Sequence, residues 1–504
     1  MTNRSVLQMR NQLLRGFVAA ALFAASAAAD DYVVTIDEAN TRLARVVATL
    51  VPDGDVMAMN DEGNQGLERG WATFVEDLKV TDHKGNELGA APEKNSRWRL
   101  AGYSDGPVKV SYTVRLKHDQ VALNFGDNGA AYANSFGVMW AGRALFIAGR
   151  STREVTVRFD LPKEWHVTTP WEPADKSAKV FAPRGTDDLL NSAFFAGTHT
   201  TFDLTVGSAA IRFALAGTNV MAMRDDLSEM TGKYLRYYNK TYGPAPASEM
   251  LLIASDSSYW GGEVMGRVIS LSVASRPREG FNPLAVMSHV MAHEVFHLWN
   301  SGIEIANDNL WQFEWFNEGF GAEYASWLGG LRLGDIDEAS FLRQLGEAWS
   351  IYAAKRDGKL TLDAAGKDKA SNEGLIYSGG LIAAATLDFR IRSESAGKRS
   401  LDELWPYMLK TFPRGSGSLS LDKLADAVRK LYGDDTAHAL MAYVSQPAVI
   451  PFADAARLVG LHAKLGSDGK QLMLSRATEA PEAQQRLWTE LKTHYPWRPI
   501  LPEK

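Results

Sequence analysis

The chain has 504 residues, 45% of them apolar, enough for two or three domains with real cores. Its formal charge is −6 and it carries no basic stripe, so nothing points to a nucleic-acid surface. It has no cysteine, which excludes disulfides and a lipoprotein anchor and leaves packing and metal to stabilise the fold.

The first element in chain order is an export signal. Arg4, Arg10 and Arg15 precede an apolar run over 16–29 that closes on Ala27 and Ala29, an A-x-A site. Residues 1–29 read as a secretory signal peptide, too short to span a membrane as a mature anchor. Its removal takes the formal charge from −6 to −9 by deleting three arginines and no acid. Export without cysteine points to a bacterial periplasm or to secretion.

Residues 30–215 read as a β-sandwich-like domain. Val108, Val110, Tyr112, Val114 and Leu116 alternate strictly with polar residues, and E-V-T-V-R-F-D-L at 154–161 does the same. Turn clusters such as D-H-K-G-N punctuate the runs. From 216 to 330 the pattern predicts a helix near Asp226–Tyr242, strands at 250–254 and 268–273, and a Gly-Gly segment between them. Residues 331–460 read as helices at about 337–355, 375–394, 401–411 and 420–432, with Ser400 and Glu403 forming a capping box. The polar, Gly-rich stretch 357–374 reads as a mobile flap. Residues 461–504 read as a short tail with little strand patterning, a helix near Pro481–His494 and a P-W-R-P end. The fold class is thus α+β and multidomain.

The stretch 291–302, M-A-H-E-V-F-H-L-W-N-S-G, carries the chemistry. His293 and His297 stand one turn apart, so both imidazoles leave the same face and can reach one zinc ion at about 2.0–2.1 Å. Glu294 can act as general base toward a water on that metal. Asn282 is a plausible N-cap with Pro283 at the first helical position, and Gly302 offers a stop. The helix is apolar on nearly every side, so its polar groups need internal partners, and a metal supplies them.

A catalytic zinc wants a third protein ligand and an open position. Glu318, in W-F-N-E-G-F-G-A-E-Y, lies 21 residues after His297 on a returning helix. Glu323 is the rival carboxylate. On an α-helix, five residues further on, it points about 500° round, elsewhere, so Glu318 is favoured and Glu323 is left as support or surface. Tyr377 opens the buried helix 375–392. Its hydroxyl could stabilise an oxyanion, or it could simply be a core tyrosine with a satisfied hydroxyl.

H-E-V-F-H-L-W-N, W-F-N-E-G-F and Y-S-G-G-L followed by L-D-F-R-I-R together resemble the glycyl aminopeptidase family of gluzincins, relatives of the aminopeptidase N-like enzymes. D-D-L-L-N-S-A-F-F-A-G-T-H at 187–199 is similar to the end of that family's N-terminal β domain. The resemblance covers about residues 32–460. It implies a thermolysin-like catalytic domain and one zinc per chain held by His293, His297 and Glu318. It also implies Glu294 as base, Tyr377 as oxyanion donor, and a substrate-binding strand containing Gly261, Gly262 and Glu263. The implied activity is removal of small N-terminal residues from peptides.

Three departures bear on that reading. The family's Gly-Gly-x-Glu-His segment is W-G-G-E-V-M here, so Glu263 comes one position early and would face the other way unless a bulge re-aims it. The lysine usual shortly after the tyrosine is Gly379. Only 43 residues follow Leu461, too few for the PDZ domain many members carry. The shifted glutamate leaves an endopeptidase or dipeptide-releasing enzyme as the second reading. The third is a silent binding protein with structural zinc, although such a closed site usually employs cysteine.

Overall fold

The computed structural model describes residues 29–493, apart from 61, 64–66, 119–128, 152–153, 248 and 275–281. The expected signal peptide and the P-W-R-P end lie outside the described residues. Two compact units meet in sequence at His199/Thr200.

The first unit is built on a ten-stranded sheet and a four-stranded sheet that share one core. Val108–Arg115 forms the expected strand, buried at Val108, Val110, Tyr112 and Val114. It pairs antiparallel with Asn40–Leu50, whose Val46 stands opposite Tyr112. Val155–Asp160 runs parallel to Asp30–Asp37. Trp140 and Phe194 from the smaller sheet enter the same core as Val34 and Phe159 from the larger. This is the sandwich expected from period-two alternation.

The second unit begins with a five-stranded sheet. Thr200–Val206 and Ala209–Ala216 form its first hairpin, and Ala209–Ala216 runs parallel to Glu249–Ser257. These residues were expected at the end of the β domain. Alternation marks a strand, yet it does not say which sheet the strand joins. Val268–Ala274 lies parallel beside Glu249–Ser257, and Gly261–Met265 closes the edge antiparallel to it.

Helix Pro283–Asn300 follows. The Asn282 side chain accepts from the amides of Leu284 and Ala285, at 3.1 and 3.4 Å, the cap expected from sequence. Met287, Met291, Val295, Phe296 and Trp299 are buried, and Trp299 Nε1 donates to the Gly243 carbonyl at 2.9 Å. The helix stops for a different reason from the one expected. Gly302 is not left-handed; a Cβ there would lie 2.5 Å from Pro246 Cγ. It is a close-packing glycine.

Helices Glu338–Lys355, Leu404–Thr411 and Leu421–Tyr432 lie near their expected positions, and the Ser400–Glu403 capping box forms. Sequence reading missed Asp434–Ser445 and Phe452–Leu458. It also read 461–476 as part of a tail with little strand patterning. Leu461–Leu465 and Leu472–Arg476 pair there as a hairpin, ahead of the helix Glu482–Lys492. Leu461, Leu472 and Trp488 bury into the second unit's core. None of the described helices is long and apolar enough to cross a membrane.

Candidate active site

His293, His297 and Glu318 come together with one ligand atom each, all within 4.8 Å of one another. Glu318 Oε2 lies 3.1 Å from His293 Nε2 and 3.4 Å from His297 Nε2. Each imidazole is oriented from behind. The His297 Nδ1 faces Asn300 at 3.2 Å, and the Asn300 amide nitrogen donates to the Asn317 carbonyl at 3.0 Å. With its amide nitrogen turned to Asn317, Asn300 can accept from His297 Nδ1–H through its oxygen, the tautomer that keeps a lone pair on Nε2. His293 Nδ1 lies 3.1 Å from Glu323 Oε1.

That second carboxylate corrects the expectation that Glu318 and Glu323 point in clearly different directions. Phe316–Glu323 is π-helical, not α-helical. With i→i+5 bonding, five residues make roughly one turn, so both glutamates come round to the same side and flank His293. Glu323 is fixed in turn by Trp327 Nε1 at 2.8 Å and faces His289 Nε2 at 3.5 Å. Burial would raise the Glu323 carboxyl, but the His289 charge and hydrogen bonds from His289 and His293 bring it well below the usual range.

Burial likewise opposes ionisation of Glu318. Lys369, His297 and the two imidazole hydrogen bonds outweigh it and hold its carboxyl well below the ordinary carboxylate value. The donor set suits zinc: two imidazoles and one ionised carboxylate, no thiolate, with Glu323 Oε1 3.1 Å from one Nδ1 and the Asn300 amide 3.2 Å from the other.

Glu294 is buried on the same helix. Desolvation pushes its carboxyl up to about 7, with the His293 and His297 charges opposing and those of Glu318 and Glu263 assisting. Gly262 packs directly against it; a Cβ on Gly262 would lie 2.5 Å from Glu294 Cγ. Gly261–Met265 pairs with Val268–Ala274 in unbroken register, Gly262 opposite Leu271 and Glu263 opposite Ser270, so no bulge re-aims Glu263. Its charge nevertheless acts on both Glu294 and Tyr377.

Tyr377 sits on a second π-helical turn, Gly374–Gly379, that leads into helix Gly380–Glu394. Its ring lies 6.1 Å from the His293 ring, nearly parallel at 22°. Burial, with the Glu318 charge, raises its hydroxyl well above the tyrosine norm. The two π turns meet through glycine. A Cβ on Gly319 would fall 2.3 Å from the carbonyls of Ile376 and Tyr377, and one on Gly380 would fall 2.5 Å from that of Trp315.

The stretch expected as a mobile flap contains helical turns. Leu362–Ala365 and Lys369–Glu373 are short helices, with Leu362 and Ala365 buried. Leu362 also accounts for the glycine after the tyrosine: a Cβ on Gly379 would lie 2.7 Å from Leu362 Cδ2. Lys369, from the same stretch, donates to Glu318 Oε1 at 2.6 Å and pairs with Glu314 Oε2 at 2.8 Å. Sequence reading missed it, because a lysine in a polar run gives no local sign of burial.

Residues 67–198 match the family model described as the Peptidase M61 N-terminal domain. Solved structures share the fold of this chain. An aminopeptidase N family protein from Idiomarina loihiensis is similar at 17% identity and a TM-score of 0.70, over 86% of this chain and 79% of that one. An M1 zinc metallopeptidase from Deinococcus radiodurans is similar at 14% identity and a TM-score of 0.54, over 84% of this chain and 95% of that one. A further structure from Deinococcus radiodurans, bound to a Tyr-Ser-Ala substrate, aligns at 14% identity, a TM-score of 0.53 and the same coverage. No curated protein matches the sequence. The zinc metallopeptidase assignment thus rests on the N-terminal domain, the fold and the His-His-Glu set together.

Proposed function

We propose that the chain is an aminopeptidase that removes small N-terminal residues, glycine or alanine, using one zinc held by His293, His297 and Glu318. The observation that carries this reading is Glu294 and Tyr377 beside the three ligands, with the Glu263 charge felt by both. When bound, zinc supplies Lewis acidity, which polarises a substrate carbonyl and acidifies water.

The chain's own groups do the rest. Glu294, buried on the helix that carries both histidines, can take a proton from the attacking water and return it to the leaving amine. Tyr377 stays protonated through the neutral range and donates to the oxygen on which negative charge develops. Gly261–Met265 is a sheet edge that can add an extended peptide by main-chain hydrogen bonds. Glu263, on that strand, supplies the negative charge that a free α-ammonium would seek. The arginine-flanked apolar start supports export to a periplasm or beyond.

The test is hydrolysis of matched peptides with free and acetylated N-termini, by zinc-loaded and chelator-treated protein. Cleavage of free N-termini alone, lost with chelator and restored by zinc, is expected. Equal cleavage of acetylated peptides would replace the aminopeptidase reading with an endopeptidase one.

A further inference from the structure

Glu318 has two oxygens in different company. Oε2 faces the imidazoles, 3.1 Å from His293 Nε2 and 3.4 Å from His297 Nε2. Oε1 accepts from Lys369 Nζ at 2.6 Å. The same ammonium lies 2.8 Å from Glu314 Oε2 and 5.7 Å over the Tyr377 ring.

Lys369 is held in place. Its side chain is 13% exposed, and it opens a short helix whose cap, Asp368, accepts from the Ser371 amide at 3.2 Å. The preceding turn is anchored by buried Leu362 and Ala365.

A carboxylate can bind a metal through one oxygen or through both. An ammonium hydrogen-bonded to Oε1 leaves Oε2 as the free donor. That arrangement works against metal retention, because a fixed cation beside a ligand withdraws charge from it and repels a second cation. It does serve a site that must keep a position open, since a two-oxygen carboxylate would fill that position.

We propose that Lys369 is a positioning residue that restricts Glu318 to one-oxygen coordination and so keeps the remaining metal position free for water and substrate, at the expense of metal affinity. The inference rests on the zinc peptidase reading of the same site. It predicts an unusual pair of effects on removing the ammonium: tighter metal and slower turnover. A defect of folding alone would loosen the metal and slow turnover together.

The experiment uses the full chain as wild type, Lys369→Met and Glu314→Gln. Zinc affinity is measured by chelator competition, coordination by the visible spectrum of the cobalt(II)-substituted protein, and kcat on a free-N-terminus peptide. Lys369→Met is expected to bind zinc more tightly, to show the weaker cobalt absorption of a higher coordination number, and to lose about 10–100-fold in kcat. Should that variant fail to fold, Lys369→Gln carries the same expectations with a smaller loss of packing. Glu314→Gln leaves Lys369 on Glu318 and is expected to keep the wild-type cobalt spectrum.

Unchanged or weaker zinc binding with an unaltered cobalt spectrum in the Lys369 variants would overturn the proposal. So would a Glu314→Gln spectrum matching theirs, since Lys369 would then act only as a tether for its own segment. The metal measurements need no substrate. If no form cleaves any peptide, the peptidase reading fails while the spectrum and affinity still decide the role of Lys369.

Discussion

Gly262 leaves bare the space that the Glu294 side chain occupies: a Cβ on Gly262 would sit 2.5 Å from both Cγ and Oε1 of Glu294. The edge strand and the metal-site helix approach this closely because one of them has no side chain at that point. Gly262→Ala is expected to displace the Glu294 carboxylate while leaving the three ligands in place. Displacement of a reacting group by about 1 Å costs roughly 100-fold in rate. Steady-state kinetics beside zinc content checks this, and a variant of normal kcat would show that Glu294 tolerates the shift.

Glu294→Gln tests the base itself. The amide fits the same space but cannot take up a proton, so turnover is expected to fall by about 10²–10⁴-fold with zinc retained. Retained activity would remove Glu294 from the mechanism.

Glu323→Gln addresses the carboxylate behind His293. Glu323 Oε1 lies 3.1 Å from His293 Nδ1. Removing that charge lowers the basicity of the imidazole and loosens its ring, for an expected loss of about 10–100-fold in zinc affinity. Chelator competition measures it; unchanged affinity would mean that packing alone holds the ring.

Acid stability should be governed in part by the first unit. His118 is fully buried among Phe74, Trp71 and Trp140, and among the described residues neither ring nitrogen has a hydrogen-bond partner. Burial pushes it down to about 3 from 6.5. The folded state therefore refuses a proton that the unfolded chain accepts. The associated stability is complete above pH 6.5 and is lost as pH falls toward 3, at about 1.4 kcal/mol per pH unit. His118→Phe should flatten that part of the acid limb in urea unfolding measured across pH. A limb of wild-type slope in the variant would place the acid sensitivity elsewhere.

The metal-site helix was legible because its signals are local: a capping asparagine, a proline at the first turn, and two histidines one turn apart. Sheet strands with period-two alternation, such as Val108–Arg115, were legible for the same reason. Features that depend on distant residues were not. L-H-A-K-L and L-M-L-S-R lack β-branched alternation, and they pair because the second unit's core receives Leu461 and Leu472. The π-helical turn that brings Glu323 beside Glu318 has no sequence period to betray it. Lys369 becomes a site residue only because the chain folds it back onto Glu318, 51 residues away.

The interlocking of Gly319 with the Ile376 and Tyr377 carbonyls, and of Gly380 with that of Trp315, has a bearing on how the enzyme can be altered. Main chain meets main chain there, so the span from Glu318 to Tyr377 is set by atomic radii and not by rotamers. That dimension cannot be tuned by small steps: any side chain at either glycine pushes the two turns apart as blocks. Redesign of substrate choice therefore has to work from the outer walls of the cleft, with the distance between ligand and hydroxyl as its fixed ruler.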